Sequence, residues 1–174
     1  MKKNVLIFGL IAGSIVTALM IYASMKCYVA PEEFSGNDIM GYATMIVAFS
    51  FIFVGIKNYR DKYLQGIITF GQAFKIGMYI TLIASTLYVG VWLIEYYVFI
   101  PDFIDHYAVH VLKAAEIDGA TQAEIQEKTA EMDDYKEMYK NPVFVILISY
   151  AEIMPIGLII TLISALLLKR TVAK

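Results

Sequence analysis

Two carboxylates stand in stretches that are otherwise apolar. Glu152 lies in LISYAEIMPIG at 147–157, with Pro155 three residues further on, and Glu95 lies in VGVWLIEYYVFI at 89–100. An acid set in hydrocarbon is disfavoured by about 3 kcal/mol on insertion scales, so each is expected to turn toward neighbouring helices as a neutral acid and to find a hydrogen-bond partner. Pro155 has no amide hydrogen, which deprives the carbonyl of Ala151 of its helical donor. A protonated Glu152 could fill that gap, as could Ser149 and Tyr150 nearby or Tyr88 and Tyr42 on other helices. Two chemistries fit. One is a proton or cation site with Glu152 as the binding group and Glu95 as its neighbour. The other, commoner in membranes, is hydrogen-bond glue between helices, with Tyr150 and Tyr88 as partners and about 1 kcal/mol per bond. No run of polar residues lining a route inward is visible.

His106 and His110 form a second constellation, one helical turn apart with Asp102 a turn earlier. Two imidazoles and a carboxylate on one helix face would suit zinc, nickel or copper. A bare His-x-x-x-His also arises readily by chance, and solvated or interfacial histidines are the expected reading. Cys27 is the sole cysteine, so neither a disulfide nor a thiol metal cluster can form within the chain. No phosphate loop, nucleophile with its base or nucleotide fingerprint occurs, so the expectation is a protein that is not an enzyme and carries no cofactor.

Such side chains must be positioned by greasy elements. The 174 residues are 59% hydrophobic and 17% charged, with a mean hydropathy of +0.64; soluble domains run at about 45–50% and about 25%. Spans of membrane length are predicted over about 5–24, 39–57, 70–100 and 142–168, with a helical hairpin over 101–141 and one membrane domain covering 1–174. The first span follows Lys2 and Lys3 as a signal peptide would, but no small-x-small cleavage site follows it, so it is expected to stay. Thr69-x-x-Gln72 reads as a capping box, and Asn141-Pro142 as a cap with its first-turn proline.

The charges divide by side. Lys2, Lys3, Lys57, Arg60, Lys62, Lys75, Lys169, Arg170 and Lys174 fall at one end of the spans with Asp61 as the only acid, while thirteen of the sixteen acids fall at the other. Basic residues near span ends are retained in the cytoplasm, which predicts both termini inside and the acidic loop outside. Within that loop, Phe103, Tyr107, Val111 and Ala114 recur at helical spacing. After the Asp118-Gly119 turn, Thr121-x-x-Glu124 opens a second helix striped by Ile125, Met132, Tyr135 and Tyr139. Gly9, Gly13 and Thr17, and Gly157, Thr161 and Ala165, set small residues four apart, which lets another helix approach closely, within the bundle or in a second copy.

KKNVLIFGLIAG, SFIFVGIKNYRDK, ITFGQAFKIG, PDFIDHYA, MYKNP and AEIMPIGLIITLISALLLKR together resemble a family of small bacterial membrane proteins known as domain of unknown function 4199. The resemblance covers nearly the whole chain. It implies a four-helix membrane fold with an outer helical loop and carries no activity with it. The expectation is therefore an all-α integral membrane four-helix bundle in the bacterial inner membrane, with an extracytoplasmic hairpin between spans three and four. Its expected role is that of a non-enzymatic accessory or scaffold protein. The alternative is a small proton- or cation-coupled transporter using Glu152 and Glu95. The lipid bilayer is the expected surrounding, and a protein partner or a second copy is left open; nucleic acid is not expected.

Overall fold

The computed structural model describes residues 1–31 and 38–170, with the backbone alone over 38–40. Glu32, Glu33 and Lys174, counted in the charge sorting, lie outside the described residues. Regular structure among those residues is helical: α1 Lys2–Val29, α2 Asp38–Tyr63, α3 Phe70–Ile94 continued by a π-helical turn Glu95–Phe99, α4 Phe103–Ile117, α5 Gln122–Tyr139 and α6 Pro142–Leu168. Four helices, α1, α2 from Gly41, α3 with its π-turn, and α6, are long and apolar enough to cross a membrane. They expose large apolar side chains such as Leu10, Val47, Leu147 and Leu167, the pattern of helices apolar on nearly every face.

Local chemistry sets the helix ends. The Thr69 hydroxyl accepts from Gln72 N at 3.3 Å while Gln72 Oε1 accepts from Thr69 N at 3.1 Å, so two otherwise orphaned amides are satisfied. Asn141 Oδ1 accepts from Val143 N at 3.0 Å, with Pro142 in the first turn, where no amide hydrogen is needed. Thr121 and Glu124 form a second capping box, and its donors hold the Glu124 carboxyl below the usual range. Gly119 closes the α4–α5 turn at φ +81°, a conformation that costs glycine nothing. The connection from α2 to α3 is pinned to the end of α6 by paired backbone bonds between Ile68 and Arg170, 3.0 and 2.8 Å.

Register follows from side-chain pairings. Gly9 abuts Ile83, Gly13 abuts Ala84, and Ser24 meets Glu95, so α1 and α3 run parallel. Gly77 meets Thr161, Thr81 meets Gly157 and Thr86 meets Tyr150, so α3 and α6 run antiparallel. α2 packs against both α1 and α6, with Asn4 Nδ2 donating to Asn58 Oδ1 at 3.0 Å. Phe49, Ile52, Ile56, Ile76, Ile80 and Ile153 fill the centre without exposure. Both small-residue stripes are spent inside this bundle: Gly9 and Gly13 admit α3, while Gly157, Thr161 and Ala165 admit α3 and the core.

α4 and α5 pack on each other, and Lys136 Nζ bridges to Asp105 at 2.7 Å, which raises the Lys136 ammonium above its ordinary value. The buried face of α4 differs from the expected stripe. Ile104, Ala108 and Ala115 are buried, whereas Phe103, Tyr107, Val111 and Ala114 are half-buried at its edges. Small side chains at 108 and 115 permit close helix contact, so the larger rings are pushed to the flanks.

Candidate functional site

Glu95 is the first residue of the π-turn, where an extra backbone residue per turn interrupts α3 before Pro101. It is only 6% exposed. Ser24 Oγ of α1 donates to Glu95 Oε1 at 2.6 Å, and Glu95 Oε2 has no hydrogen-bond partner among the described residues. The same serine hydroxyl lies 3.1 Å from the Ile21 carbonyl. A hydroxyl has one proton, so Ser24 donates to the carboxyl or to the Ile21 carbonyl, not to both at once.

Glu152 is placed otherwise than the sequence suggests. It is exposed on the flank of α6, beside exposed Ala151 and Pro155, rather than turned into the bundle. Its charge acts on Tyr88 of α3 and on Tyr135 and Tyr139 of α5. Burial first, then Glu152 and Glu131 for Tyr135, and Tyr135 and Glu152 for Tyr139, lifts both α5 phenols above their ordinary range. The physical reason for the placement is the small-residue stripe. Gly157, Thr161 and Ala165 claim the face toward the bundle, which rotates Glu152 and Pro155 to its edge. The hydroxyls proposed for the Ala151 carbonyl are engaged elsewhere: Ser149 Oγ donates to the Val145 carbonyl at 2.7 Å, and Tyr150 pairs with Thr86 at 2.9 Å. Tyr42 is half exposed on α2, and Tyr88 is buried between the two acids' fields. α6 continues as one helix through Pro155.

A row of buried polar groups, absent from the sequence reading, runs along α3. Thr81, Ser85, Tyr88, Trp92 and Glu95 are all buried and repeat by four, three, four and three, one continuous stripe of about 21 Å. Thr81 Oγ1 lies 3.1 Å from Thr161 Oγ1 and donates to the Gly157 carbonyl at 3.4 Å. Thr17 and Ser24 of α1 and Ser149 and Ser164 of α6 are buried too, and Thr17 Oγ1 and Ser85 Oγ have no partner. Apolar residues on other faces separate these positions in the sequence, so no polar run is visible there. Ser24 was detectable: it extends Gly9, Gly13 and Thr17 by two turns on the same face.

Above the row lies an aromatic layer. Trp92 packs edge-on to Phe103 at 5.2 Å, Tyr96 to Tyr139 at 5.3 Å and Tyr135 to Phe144 at 6.4 Å, and Tyr97 OH donates to the Tyr139 carbonyl at 2.9 Å. Edge-to-face pairs of this kind add about 0.5–1.5 kcal/mol each beyond area burial. They join the C-terminal end of α3 to α4, α5 and the start of α6.

The histidines are not brought together as ligands. His106 sits 4.4 Å from the Tyr28 ring, with Nε2 3.6 Å from Asp102 Oδ2, while Tyr28 OH donates to Asp102 Oδ1 at 3.0 Å. His110 lies by Tyr107 at 6.2 Å between ring centres. Among the described residues no three His, Cys, Asp or Glu side chains are grouped closely enough to hold a metal. The cluster fastens the end of α1 to the start of α4.

Fold and site together define an all-helical protein of four membrane-length helices, with a buried carboxylate beneath an aromatic layer. The chain belongs to the family described as Protein of unknown function (DUF4199), whose sequence model matches residues 7–170. Comparison with curated proteins and with solved structures finds no match.

Proposed function

We propose that this protein is a non-enzymatic accessory of the bacterial cytoplasmic membrane, with four spans, both termini inside, and α4–α5 as an outer hairpin offered to a basic partner. One observation carries this reading. α5 is fastened to the bundle through Tyr135 and Tyr139, while Glu124, Glu127, Glu131 and Asp134 recur by three, four and three along its exposed face. Glu127, Glu131 and Asp134 form no ion pair among the described residues. A rigidly held stripe of one sign steers an oppositely charged partner and loses force with salt. A photo-crosslinking residue placed at 130 in whole cells is expected to trap a basic protein. Reversal of Glu127, Glu131 and Asp134 to lysine is expected to remove that adduct. An adduct pattern unchanged by the reversal refutes the reading.

Glu95 favours a second reading, a proton- or cation-linked transporter. Its unpartnered Oε2 at the head of a buried polar row is what a titrating site would need. On this reading Glu95, rather than Glu152, is the binding group, and Tyr88 stands between the two. Wholly buried Ile52, Ile56, Ile76 and Ile80 close the row toward the basic end and weigh for the first reading. In proteoliposomes the transporter would show pH-driven flux that Glu95→Gln abolishes; equal flux in both proteins discards it.

A further inference from the structure

At the basic end a groove of ≈ 200 Å³ opens between the starts of α1 and α3 and the last turn of α2, lined by Met1, Tyr59, Leu64, Gln72, Lys75 and Ile76. Its floor is apolar, with Ile76 buried and Leu64 half-buried. Three polar side chains border it, Tyr59, Gln72 and Lys75, and each can donate. Gln72 spends its carbonyl oxygen on the Thr69 amide at 3.1 Å and the Thr69 hydroxyl at 3.2 Å, which leaves its NH₂ group for the groove. The capping box thus fixes which end of the amide is presented. Lys75 supplies an ammonium, and the Tyr59 hydroxyl makes no hydrogen bond among the described residues. An ammonium, an amide NH₂ and a phenol able to donate, set at the edge of an apolar groove, fit an anionic group attached to hydrocarbon.

The surrounding charge has the same sign. Lys2, Lys3, Lys57, Lys62, Lys75 and Lys169 make no ion pair among the described residues. The one acid at this end, Asp61, is taken by Arg60 Nε at 2.7 Å. Arg60 itself also donates to the Leu168 carbonyl, so it is structural. Tyr63 at the end of α2, Phe70 at the start of α3 and Tyr79 three residues after Ile76 are exposed, the aromatic composition of a headgroup layer.

We propose that this groove binds the phosphodiester headgroup of an anionic phospholipid in the leaflet at the basic end. Lys75, Gln72 and Tyr59 hold the phosphate, and Ile76 and Leu64 receive the first carbons of the lipid. The proposal rests on the membrane reading above and adds a ligand to it. Basic grooves between spans on the cytoplasmic side suit such headgroups, which a freely diffusing phosphate ester would share.

The test uses the full chain purified in neutral detergent, with retained phospholipid measured by native mass spectrometry after adding phosphatidylglycerol or phosphatidylcholine. The wild type is expected to keep about one phosphatidylglycerol and little phosphatidylcholine, and Lys75→Gln or Gln72→Leu to lower that retention about tenfold. Lys62→Gln and Lys169→Gln, basic but outside the groove, are expected to keep it. Equal loss in all four variants would mean a diffuse basic surface and overturn the site. Displacement of the lipid by millimolar glycerol phosphate, with equal gain in thermal stability, would overturn the lipid in favour of a soluble ester. A chain that stays dispersed without detergent would instead refute the membrane reading, a result separable from either.

Discussion

Gly157→Val is expected to lower the stability of the bundle by about 3 kcal/mol, at the upper end of what overpacking does to a well-filled interior. A side-chain carbon at 157 would be driven into Thr81 Cγ2, with Thr81 Oγ1 at 3.1 Å and Cβ at 3.3 Å behind it. Thr81 has no room to swing aside, because its hydroxyl is held by Thr161 and by the carbonyl of residue 157. One turn along, a side-chain carbon at Gly77 would lie 2.7 Å from Thr161 Cγ2, so each helix offers a glycine to the other's threonine. Sliding α3 to relieve one contact would tighten its packing against α1, where a side-chain carbon at Gly13 would lie 3.0 Å from the Ala84 Cα. Thr81→Ala in the same chain opens the space and is expected to return more than half of the loss. Gly90→Val, which meets no atom within 4 Å, is expected to change stability by under about 0.5 kcal/mol. Unfolding in mixed micelles by denaturing detergent measures all three. A Gly157→Val protein as stable as the wild type, or one that Thr81→Ala makes worse, would refute this interlock.

Much of this architecture is readable from residue types. The four apolar lengths, the capping boxes at Thr69 and Thr121, the Asn141-Pro142 start and the stripes at Gly9 and Gly157 are local signals, and local physics reproduces them in the coordinates. What could not be read is rotation about a helix axis. In a soluble protein polarity marks the solvent face, but a helix apolar on every side carries no such mark. That is why Glu152 could be assigned to the interior while small residues on the same helix claimed that face. The same blindness hides the polar row: spacing puts Thr81, Ser85, Tyr88 and Glu95 on one face of α3, but that this face is the buried one follows only from the packing of α3 between α1 and α6. On α4 the error ran the other way. Large rings suggested the packing face, yet Ala108 and Ala115 define it by allowing closer approach. Glu95 was flagged correctly as a buried acid, while its partner Ser24, a residue from a parallel helix, depended on register that no single span encodes.

Ser24→Ala is expected to destabilise the protein by about 2 kcal/mol, more than removal of the acid itself, because a buried group stripped of its partner costs more than a pair removed together. With alanine at 24 neither oxygen of Glu95 has a donor among the described residues, and the residue is only 6% exposed. Glu95→Leu removes the orphaned Oε2 as well as Oε1, keeps comparable volume and leaves the Ser24 hydroxyl its bond to Ile21. Its effect is expected within about 1 kcal/mol of wild type. The double variant is expected to match Glu95→Leu, so the cycle shows a coupling of about 2 kcal/mol. Additive effects, or a neutral Ser24→Ala, would mean that the acid draws its stabilisation from elsewhere and that the 2.6 Å contact is incidental. The cycle also separates the two functional readings. Hydrogen-bond glue predicts that Glu95→Leu keeps the crosslinked partner as well as the fold, because only packing between α1 and α3 matters to α4 and α5. A titrating site predicts a sound fold with pH-driven flux lost, since leucine reproduces the volume of the acid and cannot exchange a proton.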